Sequence, residues 1–167
     1  MRVCQCRVLE ILFGTMSLGK EWAYQLCLER VIALCDGEED VIAKMASVVG
    51  VLHNGMENFY WTGFYRVVDS RLLIGPYQGT VGCLRIEFGR GVCGTAASMG
   101  ETQVVEDVHE FPGHIACDAR SRSEIVVPVR DACGELIAVL DVDSAKKGTF
   151  DEVDQRFLEA MIAEIFS

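Results

Sequence analysis

The hydrophobic residues of this chain keep one spacing at its two ends and another in its middle, and that change of period limits the fold more than any composition figure. Near the C-terminus, Phe150, Val153, Phe157, Leu158, Met161, Ile162 and Ile165 recur every three or four residues, the stripe of a helix lying on a core. Thr149, answered by Glu152 three residues later, predicts its capped start. Near the N-terminus, Asp36 with Glu39 predicts another capped helix, with Val41, Ile42, Met45, Val48, Val49 and Leu52 on one face. Residues 20–35 suit a further helix presenting Trp22, Leu26, Val31 and Leu34. Between these ends, "FYWTGFYRVV", "RLLIGPYQG", "LRIEF", "EIVVPVR" and "ELIAVLDVD" are short, rich in β-branched and aromatic residues, and separated by turn signals. Asp69-Ser70 and the stretch from Asp131 to Gly134 read as hairpin turns, and "GVCGTAASMG" as a short helix beginning at Cys93. Helices bracketing an antiparallel meander predict an α+β domain, an antiparallel sheet flanked by N- and C-terminal helices.

At 167 residues the chain suits one domain with a substantial core. A net charge of −10 argues against phosphate-backbone binding, so no nucleic-acid partner is expected. No apolar run approaches the ~18 residues of a membrane span, so no membrane association is expected either. Residues 1–15, "MRVCQCRVLEILFGT", start like a secretory signal, but Glu10 interrupts the apolar stretch and no small-residue cleavage site follows. They are expected to be a tail outside the fold, with the domain spanning residues 16–167. Eight cysteines contain no C-x-x-C pair, and a chain with this much core needs no disulfide scaffold. A reducing, cytoplasmic setting with mostly free thiols fits.

Strand alternation makes a sharper prediction. In "LIAVLDVD", Asp141 and Asp143 share a face with Ile137 and Val139, and in "SEIVVPVR" Glu124 heads the face of Val126 and Pro128. A turn centred on Ala132-Cys133 sets Glu124 opposite Asp141, whereas one centred on Cys133-Gly134 sets it opposite Asp143. Either register puts all three carboxylates on one side, with opposed Cβ atoms ~5 Å apart. Such a group can hold a cation such as an amino group, or keep a proton near neutral pH. It can also be a solvated strand end in an acidic protein. In "FYWTGFY", Trp61, Gly63 and Tyr65 share a face, either as core packing or as the wall of a small pocket with room left at Gly63.

The segment from Asp107 to Glu124 has no strand or helix period and reads as a long loop, which makes Cys117 a reachable thiol rather than core filler. Cys83 and Cys93 also fall at loop or helix-start positions, whereas Cys27 and Cys35 lie in helical stretches. Cys93, at a helix N-terminus, and Cys117, near His114, Arg120 and Arg122, are expected to have lowered pKa values. Zinc on Cys83, Cys93, His114 and Cys117 lacks the paired short spacings of a structural site, so no metal is expected. A Cys-His hydrolase would need His109 or His114 as its base, and nothing selects one. Thiol redox catalysis, which needs an exposed nucleophile and a second thiol in reach, suits three loop cysteines best.

"WTGFY", "GPYQG", "C-x-R-I-x-F-G-R-G-V-C-G-T-A-A", "GETQVVEDVHEFPGHIACD", "SRSEIVVPV" and "AVLDVDS" together closely resemble the free methionine-R-sulfoxide reductases, a family built on a GAF domain. The resemblance covers about residues 20–167. It implies reduction of free methionine-R-sulfoxide, with Cys117 as nucleophile, Cys83 as resolving thiol and Cys93 as secondary resolving thiol. A sulfenic acid forms first, then an intramolecular disulfide that a thioredoxin-like reductant recycles, with no metal or organic cofactor. It also implies substrate binding by Trp61, Tyr65, Glu124, Asp141 and Asp143 and by backbone N–H groups of Ile115 and Ala116. Cys4, Cys6, Cys27, Cys35 and Cys133 are additions to the motifs. The sequence leaves the oligomeric state open, a homodimer included. The competing expectation is a GAF module that senses a cyclic nucleotide, a small metabolite or a bilin without catalysis.

Overall fold

A computed structural model describes the chain over residues 15–113 and 118–167, with side chains from Gly19 onward. The helices are α1 (Thr15–Cys35), α2 (Val41–Gly55), α3 (Gly91–Met99) and α4 (Glu152–Phe166). The strands are β1 (Trp61–Val68), β2 (Arg71–Gln78), β3 (Arg85–Glu87), β4 (Gln103–Val105), β5 (Ser123–Arg130) and β6 (Leu136–Ser144). They form one antiparallel sheet in the order β3-β2-β1-β6-β5-β4. The α+β class with helices at both ends is as expected, but the sheet is not a continuous meander: β1 closes beside β6, joining two three-stranded arms. That junction puts the first aromatic strand next to the acidic one.

Alternation along the central strands separates two cores. Phe64, Ile125, Val127, Leu140 and Val142 point toward α1, α2 and α4. Trp61, Tyr65, Val126 and Val139 point the other way, toward α3, whose Val92, Cys93 and Ala96 pack on them. Helix α3 can sit this close because of Gly94, where a Cβ would run into the carbonyl oxygen of Glu87.

Helix α3 begins at Gly91, two residues before the expected Cys93, and three further helix details differ from the sequence reading. In α1 the buried line is Tyr24, Cys27, Val31 and Cys35, while Trp22, Leu26 and Leu34 face outward. The helix is apolar on both sides, so spacing does not define its inner face. Tertiary partners decide: the Tyr24 hydroxyl donates to Asp154 Oδ1 at 2.8 Å, and Cys27 Sγ fills the space beside Gly55. Helix α2 is capped by Asp40, which accepts from the Ala43 N–H at 2.8 Å, so Val41 and Ile42 fall in its exposed first turn. Helix α4 starts with a capping box of Asp151 and Asp154, two residues later than Thr149–Glu152. Thr149 instead donates its hydroxyl to Ser144 Oγ at 2.8 Å. Both frames satisfy the capping pattern, and only packing ranks them.

The Asp69-Ser70 turn is as expected, with positive φ at both residues (51° and 60°), as a type I′ hairpin requires. The short strand β4, unforeseen, pairs with β5 and extends the sheet beyond it. Residues 1–14, which carry nearly all of the predicted tail, lie outside the described residues.

Candidate active site

Register assembles the acids. Glu124 on β5 stands opposite Asp143 on β6, the second of the two predicted alignments. The turn is wider than either two-residue form: Asp131 N–H donates to the Glu135 carbonyl at 3.0 Å, Gly134 N–H to that of Asp131 at 2.8 Å, and an irregularity at Val129/Arg130 absorbs the offset. On the other side of β6, Trp61 faces Asp143 and Gly63 faces Asp141. The three carboxylates and the two aromatic residues therefore share a face. The opening at Gly63 is not pocket space, however. A Cβ there would sit 2.5 Å from both the Trp61 ring and Tyr77 Cβ. The indole lies across the glycine, stacked between Tyr65 at 5.8 Å and Tyr77 at 5.4 Å.

A pocket of about 570 Å³, counted out to its open mouth, lies over this face. Glu124, Asp141 and Asp143 form its acidic side, Trp61 and Tyr65 an aromatic wall, and the first turn of α3 a further side. Glu124 and Asp141 are buried, and none of the three acids is in an ion pair among the described residues. Burial and then the charges of Asp141 and Asp143 push Glu124 well above the usual carboxylate range. Burial and then Asp143 do the same to Asp141. Asp143 is pushed up to about 6 by burial, with the Ser121 hydroxyl, which donates to its Oδ1, opposing. Asp141 Oδ1 is buried without a hydrogen-bond partner. An uncompensated acceptor of this kind is costly unless something brings it a donor.

Cys93 lies in the first turn of α3, but its thiol pKa is raised, not lowered as expected. Burial is the main cause, followed by the charges of Asp141 and Glu124, which outweigh the helix N-terminus. Its Sγ donates to Glu124 Oε1 at 3.7 Å. Sγ and one oxygen from each of Glu124 and Asp141 lie within 4.8 Å of one another, close enough to share a cation. Cys83, in the loop between β2 and β3, is half-buried and disulfide-bonded, and its partner is none of the free thiols Cys27, Cys35, Cys93 and Cys133. The calls on His114, Ile115, Ala116 and Cys117 fall outside the described residues.

The sequence reading missed Tyr60, Thr80, Asp118 and Ser121, all of which line the pocket. Asp118 Oδ2 accepts from the Tyr60 and Thr80 hydroxyls, each at 2.6 Å, and from Arg120 at 3.0 Å. The only signal in the sequence was the adjacency of Asp118 to Cys117; periodicity says nothing about contacts between loops.

The family model described as "GAF domain" matches residues 37–165. Among curated proteins the chain is 48% identical over 144 residues to "Protein YtsP" of Bacillus subtilis, covering 85% of this chain and 88% of that one. It is 44% identical over 133 residues to the "Free methionine-R-sulfoxide reductase" of Escherichia coli, covering 80% of each. Among solved structures it resembles the free methionine-R-sulfoxide reductase of Neisseria meningitidis in complex with its substrate, at a TM-score of 0.82 and 38% identity, over 95% of this chain and 92% of that one.

Proposed function

The chain belongs to the GAF-domain family and, within it, to the group that includes the free methionine-R-sulfoxide reductases; on that premise we propose that it reduces free L-methionine-(R)-S-oxide to L-methionine. The observation that carries the reading is the buried acid cluster, which has no cation among the described residues and an orphaned Asp141 oxygen. A free amino acid supplies what the cluster lacks, an ammonium group with three donors. Arg90 and the first turn of α3, which no side chain caps, stand at the same pocket and offer groups for the substrate carboxylate. Backbone N–H groups of Ile115 and Ala116 complete that contact in our reading. The aromatic wall of Trp61 and Tyr65 suits the methyl-sulfoxide end. An ammonium sunk among acids excludes a peptide-linked residue, because an amide nitrogen carries neither the charge nor the room for a continuing chain.

In the proposed chemistry the Cys117 thiolate attacks the sulfoxide sulfur while an acid of the cluster, its pKa raised by burial and by its neighbours' charge, protonates the oxygen. Methionine leaves and Cys117 retains the oxygen as a sulfenic acid. The Cys83 thiol then displaces that oxygen as water and forms a disulfide. Across one cycle, sulfoxide and two thiols become thioether, disulfide and water. A thioredoxin-like dithiol returns the pair to the reduced form. The cycle needs a reducing compartment, which the cytoplasm provides. The bonded state of Cys83 supports its part. Cys93, buried and with a raised pKa, is left as a secondary resolving thiol.

The test is dithiol-driven methionine release measured separately on the R and S epimers of free methionine sulfoxide. The R epimer should turn over and the S epimer should not, and Cys117→Ser should abolish the reaction. Binding of the R epimer without any release would instead support a sensor module.

A further inference from the structure

We propose that Asp118, Thr80 and Tyr60 form a latch that sets the stability of the disulfide between Cys83 and Cys117, and with it the reduction potential of the couple. The inference rests on the redox pairing proposed above. Asp118 follows Cys117 directly in the chain, and Thr80 precedes Cys83 by three residues. One carboxylate oxygen joins the two loops: Asp118 Oδ2 takes the Thr80 hydroxyl and the Tyr60 hydroxyl, both at 2.6 Å. Tyr60 fastens this knot to the sheet, since its backbone N–H donates to the Asp143 carbonyl at 2.8 Å. Thr80 is held from a second side, its carbonyl accepting from Trp61 Nε1 at 2.9 Å.

Arg120 completes the arrangement. Its Nη2 reaches Oδ2 at 3.0 Å, its Nε reaches Oδ1 at 3.2 Å, and its backbone N–H reaches Oδ1 at 2.9 Å. The guanidinium also lies 4.9 Å from the centre of the Tyr60 ring. The guanidinium of Arg120, then the hydroxyls of Thr80 and Tyr60, hold the Asp118 carboxyl well below the usual range, so it stays an anion throughout the physiological window. Hydrogen bonds to an ionised acceptor are about twice as strong as neutral ones.

The consequence follows from chain statistics. A dithiol closes in proportion to the effective concentration of one sulfur at the other, and that concentration falls as the connecting chain gains freedom. The latch fixes both loops within three residues of the reacting sulfurs, so the ordering cost of closure is met by contacts that do not involve sulfur. Thiol–disulfide equilibrium must therefore be biased toward the disulfide, giving a more negative potential.

The experiment equilibrates the full-length protein in glutathione buffers, where disulfide and two glutathiones exchange with dithiol and glutathione disulfide. Rapid alkylation and peptide mass spectrometry then read the Cys83 and Cys117 states. The double variant Thr80→Val, Tyr60→Phe should shift the equilibrium constant toward dithiol about tenfold, equal to about 30 mV for a two-electron couple. Thr80→Val alone should give part of that shift and covers the case in which the double variant fails to fold. Thr80→Ser, which keeps the hydroxyl, should return the potential to the parent value. A potential unchanged in Thr80→Val, with the disulfide still forming, overturns the latch. Absence of a Cys83–Cys117 disulfide in the parent protein overturns the redox pairing itself, a separate and recognisable failure.

Discussion

Asp154 and the trio of Glu124, Asp141 and Asp143 are all carboxylates set into this fold, yet they stand in opposite circumstances. Asp154, at the start of α4, is fully buried, and its oxygens are in use: Lys20 Nζ at 2.5 Å, the Tyr24 hydroxyl at 2.8 Å, and the Asp151 N–H at 2.7 Å. That set joins the N-terminal helix to the C-terminal one. Among the described residues the trio on β5 and β6 has no such cation, crowds carboxylates together, and leaves Asp141 Oδ1 without a donor. Burial alone is therefore no sign of function. What separates the two regions is whether the described residues supply the countercharge or leave the acids without one, as the proposed ammonium site requires.

The sharpest way to break this comparison is Asp141→Asn. It should lower kcat/KM for free methionine-R-sulfoxide by about a hundred- to a thousandfold, because the proposed desolvated partner of the ammonium is lost. The same variant should melt at a higher temperature than the parent without ligand, since a strained buried acid is gone. A lower melting temperature would place Asp141 with Asp154 as a structural acid. The converse change, Lys20→Met, leaves Asp154 buried beside an apolar chain. Denaturant unfolding should show a loss of about 3 kcal/mol, with the folded enzyme keeping its KM. As an internal reference, Arg156→Ala removes the exposed 3.0 Å pair to Glu21 between the same two helices and should cost less than about 1 kcal/mol.

The pH dependence sharpens the contrast further. Asp143 titrates near 6 when folded, above an ordinary value near 4 in the unfolded chain, so the folded state binds more protons between those limits. This contribution to stability is fully present below about pH 4 and is lost as pH rises through about 6. Glu124 and Asp141, also raised by burial and by their neighbours' charge, contribute with the same sign. Melts of the ligand-free protein from pH 4 to pH 8 should record that fall. Glu124→Gln combined with Asp141→Asn should flatten it; a slope unchanged in the double variant would assign it to other groups.

Much of this was legible in the chain, and what was not has identifiable causes. Alternation in "LIAVLDVDS" puts Asp141 and Asp143 on one face whatever the register, since a strand repeats every two residues. The partner of Glu124 was open because turn width is not encoded by alternation, and the irregularity at Val129/Arg130 was needed to settle it. The inner face of α1 was misassigned for a related reason: Trp22, Leu26 and Leu34 are as apolar as Tyr24, Cys27 and Val31. The pKa of Cys93 was predicted in the wrong direction because its place in a helix is local, whereas its burial against Glu124 is not.

By itself, the sequence determined the types of the long elements, the common face of the three acids and the aromatic strand, and the family, since all of these depend on short-range spacing or on joined motifs. Tertiary structure alone decided that β1 lies beside β6, that Asp118 bridges to Thr80 and Tyr60, and that among the described residues one buried acid has its countercharge while another does not. Those outcomes depend on groups far apart in the chain, and the free energy of a buried charge is fixed by its neighbours in space.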